Sequence, residues 1–221
     1  MIKACVFDLD GTILDTIGTI CHFVNATLEK FNIEKISIDE CKIFVGNGAR
    51  TLIERTLASR GITDSQTIQQ VLDDYNALYN SDPYYMTAPF QGITELITSL
   101  REMGIGIAVV SNKPQFLTRP IVSRFFGSLV DVTFGGREDV PLKPAPDSTA
   151  EAISLLGAES WETVYVGDTG TDMQTGRALG AALVIGVLWG FREEPELIAN
   201  GADVIVSHPL EILRKIEVEN V

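Results

Sequence analysis

Cysteine is scarce in this chain. The three that occur, Cys5, Cys21 and Cys41, are odd in number and show no C-x-x-C spacing, so neither a disulfide framework nor a zinc site is indicated and a reducing cytoplasm is the expected compartment. Basic charge is also in short supply: 17 Lys and Arg stand against 30 Asp and Glu, a net charge of −13. A surface of that sign repels polyanions, and the cations are scattered instead of clustered, which argues against nucleic acid or an anionic membrane as partner. Long apolar runs are missing too. The stretch "GAALVIGVLWGF" is glycine-rich and shorter than the about 20 apolar residues that span a bilayer. At the N-terminus Asp8 interrupts the apolar run before a signal-peptide core of roughly 7 to 15 residues is complete. The two histidines, His22 and His208, stand alone in the sequence and read as structural or surface residues.

What is present is enough apolar material for a full core: 221 residues at 45% hydrophobic content, room for one large domain or two unequal ones. The opening "IKACVF" is a short apolar, β-favouring run ended by acids, the pattern of a buried strand. Between residues 15 and 82 apolar residues fall at helical spacing in "TICHFVNATLEKF", "GARTLIERTLASRG" and "SQTIQQVLDDYNALYN", which predicts a small helical bundle. "DPYYMTAPFQG" follows as a hinge or linker. From there strands ("IGIAVV", "VDVTFG", "TVYVG", "AALVIGV", "ADVIV") alternate with amphipathic helices. In "QFLTRPIVSRFFG" Pro120 is expected to restrict where the first helical turn lies. Such alternation predicts an α/β fold, a doubly wound, Rossmann-like parallel sheet with helices on both faces. Residues 1–14 and 89–221 would form that core, and residues 15–88 an inserted helical domain with hinges at its ends.

In sheets of this kind ligands bind beyond the carboxyl ends of the strands. The residues expected there are Asp8 to Thr12, Ser111 to Lys113, the loop running to Lys143, and Asp168 to Asp172. Asp8, Asp168 and Asp172 in one cleft would repel one another unless a hard cation sat among them, and Mg²⁺ takes oxygen ligands of this type. Alternation turns Asp8 and Asp10 the same way, so one carboxylate can attack a substrate while the other shuttles its proton. Ser111 and Lys143 are the types that hold phosphoryl oxygens, while Gly11 and Gly167 would let backbone approach a phosphate. Thr12, Asn112 and Lys113 are further candidate substrate contacts, although Asn112 and Lys113 equally suit a turn. For Asp168 and Asp172 a helix cap is the alternative to a metal site, and the metal site is the favoured reading.

Taken in order, "DLDGT" (8–12), "SNK" (111–113), "KPAPD" (143–147) and "GDTGTD" (167–172) resemble the four motifs of the haloacid dehalogenase superfamily of phosphohydrolases. The resemblance implies that Asp8 is the nucleophile, Asp10 the general acid and base, and Ser111 and Lys143 the phosphate holders. It implies a magnesium site of Asp8, Asp168 and Asp172 completed by the Asp10 carbonyl, and makes residues 15–88 the cap of that superfamily. Retention of an acid at Asp10 disfavours the dehalogenase and phosphonatase branches.

Substrate choice would rest with the cap. "VGNGAR" (45–50) places Gly46, Asn47 and Gly48 at an apparent helix start, where free N–H groups favour anions, and Arg50 is able to grip a carboxylate bidentately. The stretch is similar to the cap loop of phosphoglycolate phosphatases, and a plain turn into a helix is the alternative. The expected activity is thus Mg²⁺-dependent hydrolysis of a small phosphorylated metabolite, 2-phosphoglycolate first. A sugar phosphomutase and a phosphoacceptor signalling module are the competing readings. In the loop after "AALVIGV", Trp189 is expected to pack the core.

Overall fold

The computed structural model describes residues 1–219 and divides into two compact units, Met1–Asp15 joined with the chain from Pro89 onward, and Thr16–Ala88. The first is an α/β unit. Its strands are β1 (Ala4–Phe7), β2 (Leu14–Asp15), β3 (Ala88–Pro89, at the junction), β4 (Gly106–Pro114), β5 (Val132–Gly136), β6 (Thr163–Gly167), β7 (Leu183–Val187) and β8 (Val204–Val206). Six of these form one parallel sheet in the order β5-β4-β1-β6-β7-β8. The chain runs outward from β1 through β4 to β5, then returns to the other side of β1 and runs outward again through β6, β7 and β8. That reversal is the doubly wound, Rossmann-like order, and it creates a crevice beyond the carboxyl ends of β1 and β6.

β1, β6 and β7 are buried along their whole length, which is why they read as continuous apolar runs instead of alternating ones. Helices cover the sheet: α5 (Ile93–Glu102), α6 (Gln115–Phe126), α7 (Asp147–Leu155), α8 (Gly170–Leu179), α9 (Glu194–Ala199) and α10 (Glu211–Glu219), numbered after the four helices of the other unit. On one face Ala4, Val6, Ala108, Val110, Phe134 and Tyr165 pack against Ala152 and Ile153 of α7.

The second unit is helical: α1 (Ile17–Lys30), α2 (Ile38–Phe44), α3 (Gly48–Ala58) and α4 (Ser65–Ser81). Its core includes Phe23, Val24, Leu28, Ile53, Leu57, Val71 and Leu72, and Phe23 meets Tyr79 edge to face. His22 is exposed and lies against Tyr85 with the rings tilted, their centroids 4.5 Å apart.

Several elements differ from the sequence reading, among them the short strands β2 and β3, which it did not contain. Pro120 lies inside α6, not in its first turn; the helix tolerates it at the cost of the bond to the Phe116 carbonyl. β4 does not stop at Val110 but continues through the polar Ser111-Asn112-Lys113, with a register irregularity against β5 between Val110 and Pro114. The helix α2 has no counterpart in the sequence reading. Its start carries a capping box, in which Glu40 N–H donates to Ser37 Oγ and Ser37 N–H donates to Glu40 Oε2.

Candidate active site

The crevice at the sheet reversal is where the acids meet. Asp8 follows β1 and keeps its backbone in the ladder, its N–H donating to the Val166 carbonyl of β6. Asp168 follows β6, and Asp172 lies in the first turn of α8. Oxygens of these three carboxylates lie within 4.8 Å of one another, and all three residues are buried.

Lys143 is the cation among them. Its Nζ donates to Asp8 Oδ1 at 2.6 Å and to Asp172 Oδ1 at 2.7 Å. The loop that carries it is held by Asn112: Lys143 N–H donates to Asn112 Oδ1 at 2.9 Å, and Asn112 Nδ2 donates to the Lys143 carbonyl at 3.2 Å. Asp168 is pinned on both oxygens, Oδ1 by the Thr12 hydroxyl at 2.7 Å and Oδ2 by the Phe191 N–H at 2.8 Å. Asp172 takes Thr169 N–H and Oγ1 on Oδ2 while its own N–H donates to Thr169 Oγ1, a capping box at the start of α8. The capping role and membership of the acid cluster therefore coexist in one side chain. Asp10 stands outside the cluster and receives both its bonds from Lys113 Nζ, at 2.7 and 2.8 Å.

The electrostatics follow from the crowding. Burial, then the charge of Asp172, pushes the Asp8 carboxyl up to about 7, with Lys143 pulling back and Asp10 adding to the rise. Burial, then Asp172 and Asp8, holds Asp168 well above the usual carboxylate range against the bonds from Thr12 and Phe191. For Lys143 burial works against the charge, but Asp172 and Asp8 overcome it and keep the ammonium well above its ordinary value. Three carboxylates around one ammonium leave an excess of negative charge, and an all-oxygen donor set of this kind suits a hard divalent cation.

Asp8, Asp10, Thr12, Ser111, Asn112, Lys113, Lys143, Asp168 and Asp172 all belong to the α/β unit; Gly46, Asn47, Gly48 and Arg50 belong to the helical one. Several of them make contacts that the sequence did not suggest. Thr12, Asn112 and Lys113, candidates for substrate contact, spend side-chain bonds on Asp168, Lys143 and Asp10. Gly11 and Gly167 make room for acids: a Cβ would fall 2.4 Å from Asp168 Oδ2 at Gly11, whose φ is +89°, and 2.2 Å from the Asp172 Cβ at Gly167. Asp10 is no member of the carboxylate cluster through its side chain; the expected ligand there is its carbonyl. Ser111 is buried, and its Oγ accepts from Lys113 N–H at 3.2 Å. In the helical unit Asn47 immediately precedes α3, flanked by Gly46 and Gly48 at φ +114° and +84°. Its Oδ1 accepts from Arg55 Nη2, while the Arg50 guanidinium donates to Gln69 Oε1 and pairs with Glu54.

Residues the sequence reading missed are Thr169, Gly190 and Phe191, together with the role of Trp189. Trp189 is half-buried, and its indole N–H donates to the Thr12 carbonyl at 2.9 Å, tying the loop after β7 to the loop after β1. The Thr169-x-x-Asp172 spacing is a legible capping signal. A backbone N–H such as that of Phe191 has no signature in residue type.

A family model described as haloacid dehalogenase-like hydrolase matches residues 5–186. The chain belongs to that family. This hydrolase is 34% identical over 192 residues to the phosphoglycolate phosphatase of Cereibacter sphaeroides, covering 86% of this chain and 87% of the relative. It is 26% identical over 213 residues to the phosphoglycolate phosphatase of Aquifex aeolicus, covering 96% and 95%. A crystal structure of a proposed phosphoglycolate phosphatase from Lactobacillus delbrueckii subsp. bulgaricus superposes with a TM-score of 0.92 at 32% identity, over 97% of this chain and 98% of that one. This haloacid dehalogenase-like protein is a phosphoric monoester hydrolase with a doubly wound core. No helix among the described residues is long and apolar enough to cross a membrane.

Proposed function

We propose that this hydrolase is a Mg²⁺-dependent phosphatase of a small phosphorylated metabolite, 2-phosphoglycolate, acting through an aspartyl phosphate on Asp8. The observation that carries the reading is the buried clamp in which Lys143 bridges Asp8 and Asp172. It holds the Asp8 carboxylate in one orientation beside a positive charge, the arrangement a nucleophile facing a phosphoryl group requires. Asp8, Asp168 and Asp172, with the Asp10 carbonyl, would hold the cation. When bound, Mg²⁺ would neutralise charge on the phosphoryl oxygens and offset the repulsion between the acids.

The chain's own residues supply the rest. An Asp8 oxygen attacks phosphorus while Asp10, oriented by Lys113, gives a proton to the leaving oxygen. Asp10 then removes a proton from the water that hydrolyses the acyl phosphate. Lys143 and Ser111 steady the phosphoryl oxygens through both steps. In this reading residues 15–88 are the cap, and the α3 start at Gly46-Asn47-Gly48 with Arg50 recognises the substrate carboxylate. The names of the relatives at 26% and 34% identity support that substrate.

The deciding experiment is inorganic phosphate release from 2-phosphoglycolate with and without Mg²⁺, with Asp8→Asn as the control for contamination. Magnesium-dependent release that vanishes in the variant is expected. Arg50→Ala should then impair 2-phosphoglycolate far more than p-nitrophenyl phosphate, which has no carboxylate. Equal loss on both removes Arg50 from the recognition site, and release from the aryl phosphate alone discards the substrate.

A further inference from the structure

Tyr165 is the largest of the fully buried side chains and sits in the middle of β6. Its neighbours in register are Val6 of β1 and Val184 of β7. Registered neighbours share a face of the sheet, and Val6 and Asp8 share one by alternation, so Tyr165 stands on the Asp8 face, one strand over and two residues back. Two residues of strand rise are about 6.6 Å, a distance a tyrosine side chain leaning along the strand can span. The ring fills the apolar cluster of Ala4, Val6, Phe134 and Ile153. The hydroxyl is buried and makes no hydrogen bond among the described residues. A buried hydroxyl without a partner costs stability that phenylalanine, of nearly the same shape, would avoid.

Lys143 Nζ is bonded to Asp8 on that same face, and its ammonium holds back the upward push of burial on the Tyr165 hydroxyl. An ammonium has three protons to donate. Asp8 and Asp172 take two.

We infer that Tyr165 is a positioning residue for Lys143, its hydroxyl oxygen serving as the neutral acceptor toward which the third ammonium proton turns. This rests on the phosphatase reading above. A neutral acceptor suits the position because a third carboxylate would bind the ammonium too strongly for it to swing toward a phosphoryl oxygen, and an apolar group would leave its orientation unfixed. Tyr165 touches no reacting atom. Its effect passes through Lys143 to Asp8, so it belongs to the chemical step and not to substrate capture.

The test compares Tyr165→Phe with wild type on 2-phosphoglycolate and on p-nitrophenyl phosphate in saturating Mg²⁺, reading kcat, KM and melting temperature. Expected is a fall in kcat of roughly tenfold to a hundredfold, by analogy with the outer partners that orient a metal site's ligands, with KM little changed and a melting temperature equal to or above wild type. Ile153→Val, in the same cluster, is the packing control and should lower the melting temperature without a matching loss of kcat. Unchanged kcat in Tyr165→Phe overturns the proposal. So does a loss of kcat accompanied by a fall in melting temperature and no larger than that of the packing control. Inactivity of the wild type on both substrates overturns the phosphatase reading itself, a result distinct from either.

Discussion

Gly190 contributes no side chain to the site, yet it decides where Asp168 can be. A Cβ there would lie 2.3 Å from the Asp168 Cβ, an atom on a short side chain already pinned by Thr12 and by the neighbouring Phe191 N–H. Neither side has room to yield, so Gly190→Ala must push the carboxylate out of the cluster or the loop away from it. The expected cost is about 1–3 kcal/mol of stability, the range for overpacking, with loss of most Mg²⁺-dependent activity; a melting curve and a phosphate-release assay on the same sample check both. At this scale the sequence was legible wherever the chemistry resides in a side chain. Asp8, Lys143, Asp168 and Asp172 stand out by type and by position at strand ends. The Phe191 amide and the space at Gly190 do not, because any residue offers an N–H and glycine has many other uses. Asn112 and Lys113 were visible as polar residues, but their partners, the Lys143 backbone and Asp10, are 31 and 103 residues away in the chain. The parallel pairing of β1 and β4 brings Lys113 to Asp10, and the pairing of β4 with β5 starts the loop that returns Lys143 to Asn112.

At the scale of elements, α2 shows how a short helix escapes notice. "IDECKIF" buries only Cys41 among its seven residues, so it offers little periodic apolar signal. Its evidence is the Ser37-x-x-Glu40 spacing, which the structure fills with both reciprocal bonds. Ser37→Ala should cost about 1 kcal/mol, measurable by urea unfolding of the whole chain. Glu40 adds a pH dependence of known sign. The hydrogen bond from Arg60, then that from Ser37 N–H, lowers its carboxyl from 4.5 to about 2. A depressed folded value means stability that is fully present above the unfolded value and lost as pH falls toward the folded one. Glu40→Gln should therefore melt below wild type near neutrality, with the gap closing as pH drops from 4.5 toward 2; a constant gap would show that the carboxylate charge is not what stabilises α2. The buried strands were legible for the opposite reason. β1, β6 and β7 lie inside a sheet covered on both faces, so hydrophobicity alone marks them. β4 was cut short because its last residues are polar ones held in the site, where function overrides the apolar pattern.

For the molecule as a whole, the acidic balance of −13 and the buried acid cluster make the same demand on the metal-free fold. Asp8, raised from 3.8 to about 7, favours the folded state in its protonated form. The stability it contributes is fully present below the unfolded value and is lost as pH rises through about 7; Asp168 shifts in the same direction. A cation that binds the folded chain and not the unfolded one restores stability by mass action, about 2.7 kcal/mol at a hundredfold excess over Kd. Protons and the cation compete for the same carboxylate oxygens, so the two effects cannot be independent. Mg²⁺ should then raise the melting temperature more at a pH well above 7 than at one well below it, where protons already neutralise Asp8. Asp168→Asn removes one charge from the cluster while keeping its shape, and should abolish most of the Mg²⁺ shift while raising the metal-free melting temperature at the higher pH. Circular dichroism melts of both proteins, with and without Mg²⁺ at the two pH values, test this without any substrate. A Mg²⁺ shift of equal size at both pH values, or one that survives in Asp168→Asn, would mean that the cation acts on the acidic surface and not on the three buried carboxylates.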